Sequence, residues 1–424
     1  MNFQTFNLKP AVSAGVVKAG FTSPTPIQKE AIPPVMAGRD VVGVAQTGTG
    51  KTAVFVLPIL NRLVSGKRGQ TRALIVAPTR ELVEQIHEAI VTLGVKTGLR
   101  SVTVYGGVGI NPQIQKLKRA DIIVACPGRL LDHIRRRTVN LSSLEVLVLD
   151  EADHMFDMGF LPDVRRIVQS IPARRQTLLF SATMPVEIRR LADEILNKPI
   201  SVKVGNPAPA DTVSHALFPV AQHLKTPLLM KLLKNTDTGS VLVFTRTKHR
   251  AKKLDEQLSR AGYRSASLQG NLSQGRRKAA LDGFRAGKYQ ILVATDIAAR
   301  GIDVSKVSHV INYDIPDTSD AYIHRIGRTG RAERSGDAFT LVTNADKAMV
   351  RSIDRAVGFS IERRSLADFD YTVPAPRKAN AVARPARRKP SQAGKGGPRK
   401  SVFGPIVTTR PKFSARRRNV QPHA

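Results

Sequence analysis

Cysteine is nearly absent. The 424 residues include one, Cys126, among 42% hydrophobic residues. One thiol leaves no disulfide framework and no cysteine-based zinc site within a single chain, and it fits a reducing, cytoplasmic compartment. Long apolar runs are missing as well. The longest, Ala53–Leu60, is interrupted by Pro58. It falls far short of the roughly 18 residues that span a bilayer, and is expected to be a buried helix. The opening MNFQTFNLKP has neither the charged nor the apolar region of a signal peptide. Membrane-spanning and secreted classes are therefore not expected.

Acid is scarce relative to base: 33 Asp and Glu against 67 Lys and Arg, a formal net charge of +34. Solubility alone asks for a small net charge, so the excess points to a polyanionic partner, nucleic acid foremost. No acid follows Asp370. Residues 371–424 carry 14 Lys and Arg, leaving a net +20 of the +34 on residues 1–370. This stretch is rich in Pro, Gly, Ala and Ser and has no hydrophobic period. It cannot bury enough apolar surface to offset the entropy of ordering, so it reads as a disordered basic tail.

What is present suggests two or three domains by length. GNPAPAD at 205–211 has repeated Gly and Pro and no apolar side chain larger than Ala, the marks of a linker. With the linker at 205–213, the domains fall at 1–204 and 214–370. Each reads as short apolar strands alternating with helices, an α/β fold with a mostly parallel sheet flanked by helices. The expected strands are Val41–Ala45, Ala73–Ala77, Ile122–Ala125, Val146–Leu149 and Thr177–Phe180, then Val241–Thr245, Ile291–Ala294, His309–Asn312 and Phe339–Val342. Polar residues follow most of these runs, and the carboxyl ends of such strands are where ligands bind.

Two motifs carry the chemistry. The segment Ala45-Gln46-Thr47-Gly48-Thr49-Gly50-Lys51-Thr52 follows a strand and precedes a helix. Gly48 and Gly50 let backbone N–H groups cradle phosphate at a helix N-terminus, Lys51 can reach the β- and γ-phosphates, and the Thr52 hydroxyl can ligate Mg²⁺. Ala45 departs from the usual first Gly. Val146–Leu149 then delivers Asp150 and Glu151 to a strand end. Asp150 is suited to hold Mg²⁺ through water, and Glu151 to orient and deprotonate the attacking water. Together these predict a nucleotide hydrolase.

Further segments narrow it: Gly20-Phe21 and Pro24-Thr-Pro-Ile-Gln28 upstream, Ser181-Ala-Thr183, Ala294-Thr-Asp-Ile-Ala-Ala-Arg-Gly-Ile-Asp303, and His324-Arg-Ile-Gly-Arg-Thr-Gly-Arg331. In this order, over residues 1–370, they closely resemble the DEAD-box family of ATP-dependent RNA helicases. The resemblance implies two tandem RecA-like domains with ATP and Mg²⁺ as cofactors. It further implies that Gln28 reads the adenine edge with Phe3 and Phe21 at the pocket, and that Asp303 holds the ribose. Arg328 and Arg331 would reach the γ-phosphate from the second half, and Asp153, Ser181, Thr183, His324 and Arg325 would couple the halves. Arg328 and Arg331 read alone are a surface basic patch, and Phe3 and Phe21 ordinary core aromatics.

RNA contact is implied for Pro78, Thr79, Arg80, Glu81, Gly106, Gly107, Pro127, Gly128 and Arg129 in the first half. In the second half it is implied for Thr245, Arg246, Gln274, Arg277 and Thr295. Hydroxyls, Arg forks and backbone N–H groups suit phosphate and sugar, so binding of single strands and short duplexes should be largely independent of sequence. Val83, Cys126 and Gln269 depart from the family's usual Ala, Thr and His; Cys126 forfeits a hydroxyl toward RNA. The short lead and basic tail are similar to the bacterial RhlE-like subgroup, whose partners would be ribosomal particles or the RNA-decay machinery of a monomeric enzyme. A DNA helicase of the same superfamily and a non-catalytic RNA-annealing protein remain alternatives.

Overall fold

The computed structural model describes residues 2–45, 48–204, 213–236, 239–299, 307–330 and 336–375. Seven strands of the first half are β1 (Val41–Val44), β2 (Ala73–Val76), β3 (Ser101–Val104), β4 (Ile122–Ala125), β5 (Val146–Leu149), β6 (Gln176–Ser181) and β7 (Ile200–Lys203). They form one parallel sheet in the order β3-β4-β2-β5-β6-β1-β7. The central β2, β4 and β5 are ALIV, IIVA and VLVL and are buried along their whole length, as strands covered on both faces by helices must be.

The helix Lys51–Leu63 begins at Gly50, whose φ of 92° only glycine adopts readily. Ala53–Leu60 is buried throughout within it, as its apolar run predicts. The helix Arg80–Leu93 is started by Thr79, whose hydroxyl accepts from the Leu82 N–H.

The second half holds β8 (Val213–Pro219), β9 (Val241–Phe244), β10 (Ser265–Leu268), β11 (Ile291–Ala294), β12 (His309–Asn312) and β13 (Gly336–Val342), all parallel in the order β10-β11-β9-β12-β13-β8. β9 and β11 are buried throughout. Two apolar clusters flank the first sheet, and further clusters pack around the second. Among the described residues no helix is long and apolar enough to cross a membrane.

Four strands were not anticipated: β3, β7, β8 and β10. The anticipated linker lies outside the described residues except Val213, which belongs to β8. The tail boundary also needs correction. After Val357 the chain returns along β8, with Leu217 N–H donating to the Glu362 carbonyl and Arg364 N–H to the Leu217 carbonyl, both at 2.8 Å. Tyr371 then packs edge-on against Phe369 at 4.8 Å, and its hydroxyl accepts from the Leu366 N–H. This aromatic pair keeps the folded body going beyond residue 370, and only 376–424 of the expected tail falls outside the described residues.

Candidate nucleotide and RNA site

β1 brings Ala45 to the carboxyl edge of the first sheet, its N–H donating to the Ser181 carbonyl at 3.0 Å. Gly48 and Gly50 hold φ of 85° and 92° in the left-handed region. Lys51 is buried, and its ammonium donates to the Ala45 carbonyl at 2.8 Å, closing the loop on itself. Thr52 sits in the first turn of the following helix. Gln46 and Thr47 lie outside the described residues.

The loop is braced from behind. Thr25 Oγ1 donates to the Thr49 carbonyl at 2.8 Å, and Gln28 Nε2 to the Gly50 carbonyl at 3.1 Å. Gln28 Oε1 accepts from the Thr25 N–H. A Cβ on Gly50 would stand 2.5 Å from Gln28 Nε2, so glycine is needed there for space as well as for φ. Gln28 thus has a bracing role the sequence did not announce, with one N–H and one oxygen lone pair left over for a base. Phe3 is buried and Phe21 39% exposed, their rings 5.6 Å apart.

β5 ends at Asp150. Both Asp150 and Glu151 are 3% exposed. Burial pushes the Asp150 carboxyl up to about 7 despite the opposing charge of Lys51. Burial acts on Glu151 in the same direction but is outweighed by the charge and hydrogen bond of His154 and by Lys51 and Arg328, which hold it down near 2. Glu151 has φ 52° and ψ 52°, a left-handed conformation that costs a side-chain-bearing residue about 1 kcal/mol or more. The bend starts the helix Ala152–Asp157 immediately after the strand.

Asp153 ties this helix to β6. Its N–H donates to Ser181 Oγ, and its Oδ2 accepts from the N–H groups of Ala182 and Thr183 and from Thr183 Oγ1, at 2.9–3.2 Å. The second half approaches here: His324 Nε2 lies 3.9 Å from Asp153 Oδ2, and His324 Nδ1 lies 2.8 Å from His154 Nε2. Arg328 is 4% exposed and lines the same crevice as His154 and His324. Arg325 does not couple the halves as expected. Its guanidinium is held at 2.6 Å by both Asp296 oxygens and donates to Asn312 Oδ1 and the Asp314 carbonyl, all within the second half. Asp303 and Arg331 lie outside the described residues. His154, missed in the sequence, stands three residues after Glu151, in the first turn that the Glu151 bend begins, and its Nδ1 lies 2.8 Å from Glu151 Oε2.

Several residues expected at RNA converge. Arg80 lies over Gly106 and Gly107, where a Cβ on Gly107 would collide with its guanidinium. Arg129 donates to the Val108 carbonyl at 3.0 Å. Pro78 and Thr79 are buried at the end of β2, and Pro127 and Gly128 open the helix Pro127–Arg135.

Others bridge the halves rather than stand open. Glu81 Oε1 accepts from Arg277 Nε at 2.7 Å, with both side chains largely buried, and Gln274 reaches Arg80 and Glu81 at 3.5 Å. Thr245 and Thr295 are buried, while exposed Arg246 pairs with Asp317 at 3.2 Å.

A lysine-closed phosphate loop and an acidic strand end, met across a crevice by basic side chains from a second parallel sheet, define a two-lobed nucleoside triphosphatase. Residues 25–191 match the DEAD/DEAH box helicase family and residues 224–333 the helicase conserved C-terminal domain. The DEAD-box ATP-dependent RNA helicase RhpA of Helicobacter pylori (strain B128) is 43% identical over 364 residues, 85% of this chain and 73% of that protein. Among solved structures, S. cerevisiae Dbp5 bound to RNA and ADP BeF3 superposes with a TM-score of 0.79 at 31% identity, covering 86% of this chain and 95% of that one. A DEAD box protein from the hyperthermophile Methanococcus jannaschii is 38% identical, with a TM-score of 0.52 and coverage of 86% and 99%. The chain belongs to the DEAD-box family of ATP-dependent RNA helicases.

Proposed function

We propose that the two halves act as an ATP-gated clamp on RNA, with Lys51, Glu151, Arg328 and Arg331 as the hydrolytic set. The observation that carries this reading is the Glu151 carboxylate. It is buried at the mouth of the phosphate loop and held ionised, with Oε1 lacking a hydrogen-bond partner among the described residues. Such an oxygen can accept a proton from water attacking the γ-phosphate, while Lys51 releases Ala45 to meet the phosphates and Arg328 offsets the charge of the transferring phosphoryl.

Thr52 and Asp150 would hold Mg²⁺. The donor set fits: a hydroxyl beside the loop, and a buried carboxyl raised to about 7 that a nearby dication would return to its ionised form. Bound there, Mg²⁺ supplies charge neutralisation for the phosphates. Phe21, Gln28 and Asp303 would receive the nucleoside.

The Arg80, Gly106, Gly107 and Arg129 cluster, with Arg246 opposite, would grip the phosphates and sugars of one strand, and the buried Thr245 and Thr295 would support that edge of the second sheet. Closure would bend that strand out of A-form geometry and part a short duplex; hydrolysis would reopen the clamp. The Glu81–Arg277 and His154–His324 contacts support a closed arrangement. So does the better superposition on RNA- and ADP BeF3-bound Dbp5 than on the more identical M. jannaschii protein. A reducing, cytoplasmic compartment accords with the single cysteine.

Glu151→Gln tests the reading. ATP-dependent RNA binding should survive while turnover falls by 10²-fold or more, the order expected for losing a general base; turnover within a fewfold of wild type would remove Glu151 from that role. ATPase assays with matched RNA and DNA strands should show stimulation by RNA alone, and equal stimulation would favour a DNA helicase.

A further inference from the structure

One buried histidine beside the base has so far entered only as a contact between the halves, with no role in the hydrolytic step. His154 is 2% exposed. Its Nδ1 lies 2.8 Å from Glu151 Oε2, and its Nε2 lies 2.8 Å from His324 Nδ1 in the other half. A carboxylate oxygen only accepts, so Nδ1 carries a proton and donates to Oε2. The second contact joins two imidazoles, ring centroids 4.8 Å apart at 70°, and one of the two facing nitrogens must donate. Glu151 therefore has one oxygen tied and the other, Oε1, buried without a partner among the described residues. Left alone, a glutamate carboxylate turns freely about its last torsion, and nothing would distinguish its two oxygens.

We propose that His154 is a positioning residue for hydrolysis: it ties Glu151 Oε2 so that Oε1 faces the attacking water, and through His324 it makes that alignment depend on contact between the halves. The inference rests on Glu151 being the general base. A base must meet its proton within hydrogen-bond reach, and small misplacements of reacting groups cost on the order of 10²-fold in rate. With the halves parted, His154 would keep Glu151 but lose the imidazole that fixes its own ring. Hydrolysis without closure would then be slowed by a loosened base, a coupling separate from the arrival of Arg328.

The charged and titratable groups facing His154 are consistent with a donor at Nδ1. Glu151 and Asp153 come from its own segment, and His324 and Arg328 from across the crevice. Asp296 and Arg325, which line the same crevice, are satisfied by each other.

The test compares RNA-saturated ATPase kinetics of the wild type, Glu151→Gln, His154→Ala and His154→Asn, with melting temperatures taken alongside. An asparagine amide nitrogen stands where Nδ1 does, so it can still donate to Oε2 but cannot reach His324. His154→Ala should lose roughly 10–100-fold in kcat with the KM for ATP changed by no more than about twofold. His154→Asn should recover most of that loss. His324→Ala should lower kcat in the wild type but add little to His154→Asn, since the link it cuts is already gone.

An unchanged kcat in His154→Ala overturns the proposal. So does an asparagine variant no better than alanine, or a full additional loss from His324→Ala in the asparagine background. If Glu151→Gln itself turns over normally, the base assignment fails instead, and the two failures are told apart by that one variant.

Discussion

Burial keeps His324 neutral. Its surroundings, and then the positive charge of His154, lower its pKa from 6.5 to about 4. A depressed histidine makes the unfolded chain bind more protons than the folded one between those values. Stability is therefore complete above about pH 6.5 and is lost as pH falls toward 4. Between pH 7.5 and pH 5 this one group should cost about 2 kcal/mol of folding free energy. Denaturant titrations at the two pH values should show that loss in the wild type and a correspondingly smaller one in His324→Asn. Carboxylates that do not face His324 titrate equally in both proteins, so identical pH dependence would refute the assignment.

Residue types, more than their pairings, were legible at this scale. Lys51, Asp150, Glu151 and Asp153 were readable because their chemistry depends on near neighbours in sequence. The bond from His154 to His324 spans 170 positions, and no local pattern announces it. Gln28 was read for its family role at adenine, whereas its amide also supports Gly50 through a contact that only folding creates.

Elements divide by where they sit in their sheets. Every strand that was anticipated is interior, and the four that were missed, β3, β7, β8 and β10, are the edges of the two sheets. Interior parallel strands are covered on both faces and read as unbroken apolar runs. Edge strands such as SVTV, ISVK and SASL alternate with polar residues and are only half-buried. Caps follow a similar contrast. Thr79, Thr247, Ser273 and Thr318 each accept an N–H of the helix they start. Cys126 holds the same position before Pro127, with extended φ −82° and ψ 142°, and makes no side-chain cap. Burial raises its thiol to about 12, so it stays an uncharged and poor acceptor.

Cys126→Thr would supply a hydroxyl of similar size in a backbone already suited to capping. It should stabilise the protein by about 0.5–1 kcal/mol, the usual worth of an N-cap, read as a higher denaturant midpoint at unchanged slope. The same hydroxyl lies beside Gly128 and Arg129, so RNA affinity should rise with it. A midpoint that fails to rise would mean that the Cys126 sulfur already serves the helix as well as oxygen can.

For the whole molecule, the charge excess separates into parts with different work. In the proposed clamp Lys51 and Arg328 would face the nucleotide, and Arg80, Arg129 and Arg246 would line the strand path. The folded body ends with Tyr371 and with Val373, whose carbonyl bonds His223 at 2.7 Å, so a cut at residue 371 would remove packed structure and confound any binding measurement. A cut after Ala375 removes all 14 basic residues of the tail and spares the aromatic pair. Each phosphate neutralised by such a residue contributes roughly 0.7 to the slope of log affinity against log salt for a single strand. Deleting 376–424 should therefore weaken RNA binding most at low salt and flatten that slope by several units, while ATPase at saturating RNA stays near wild type because no tail residue belongs to the hydrolytic set. If the slope is unchanged, the tail does not touch RNA and its charge serves solubility alone. If saturated ATPase collapses instead, the tail belongs to the clamp itself, and the division of charge proposed here is wrong.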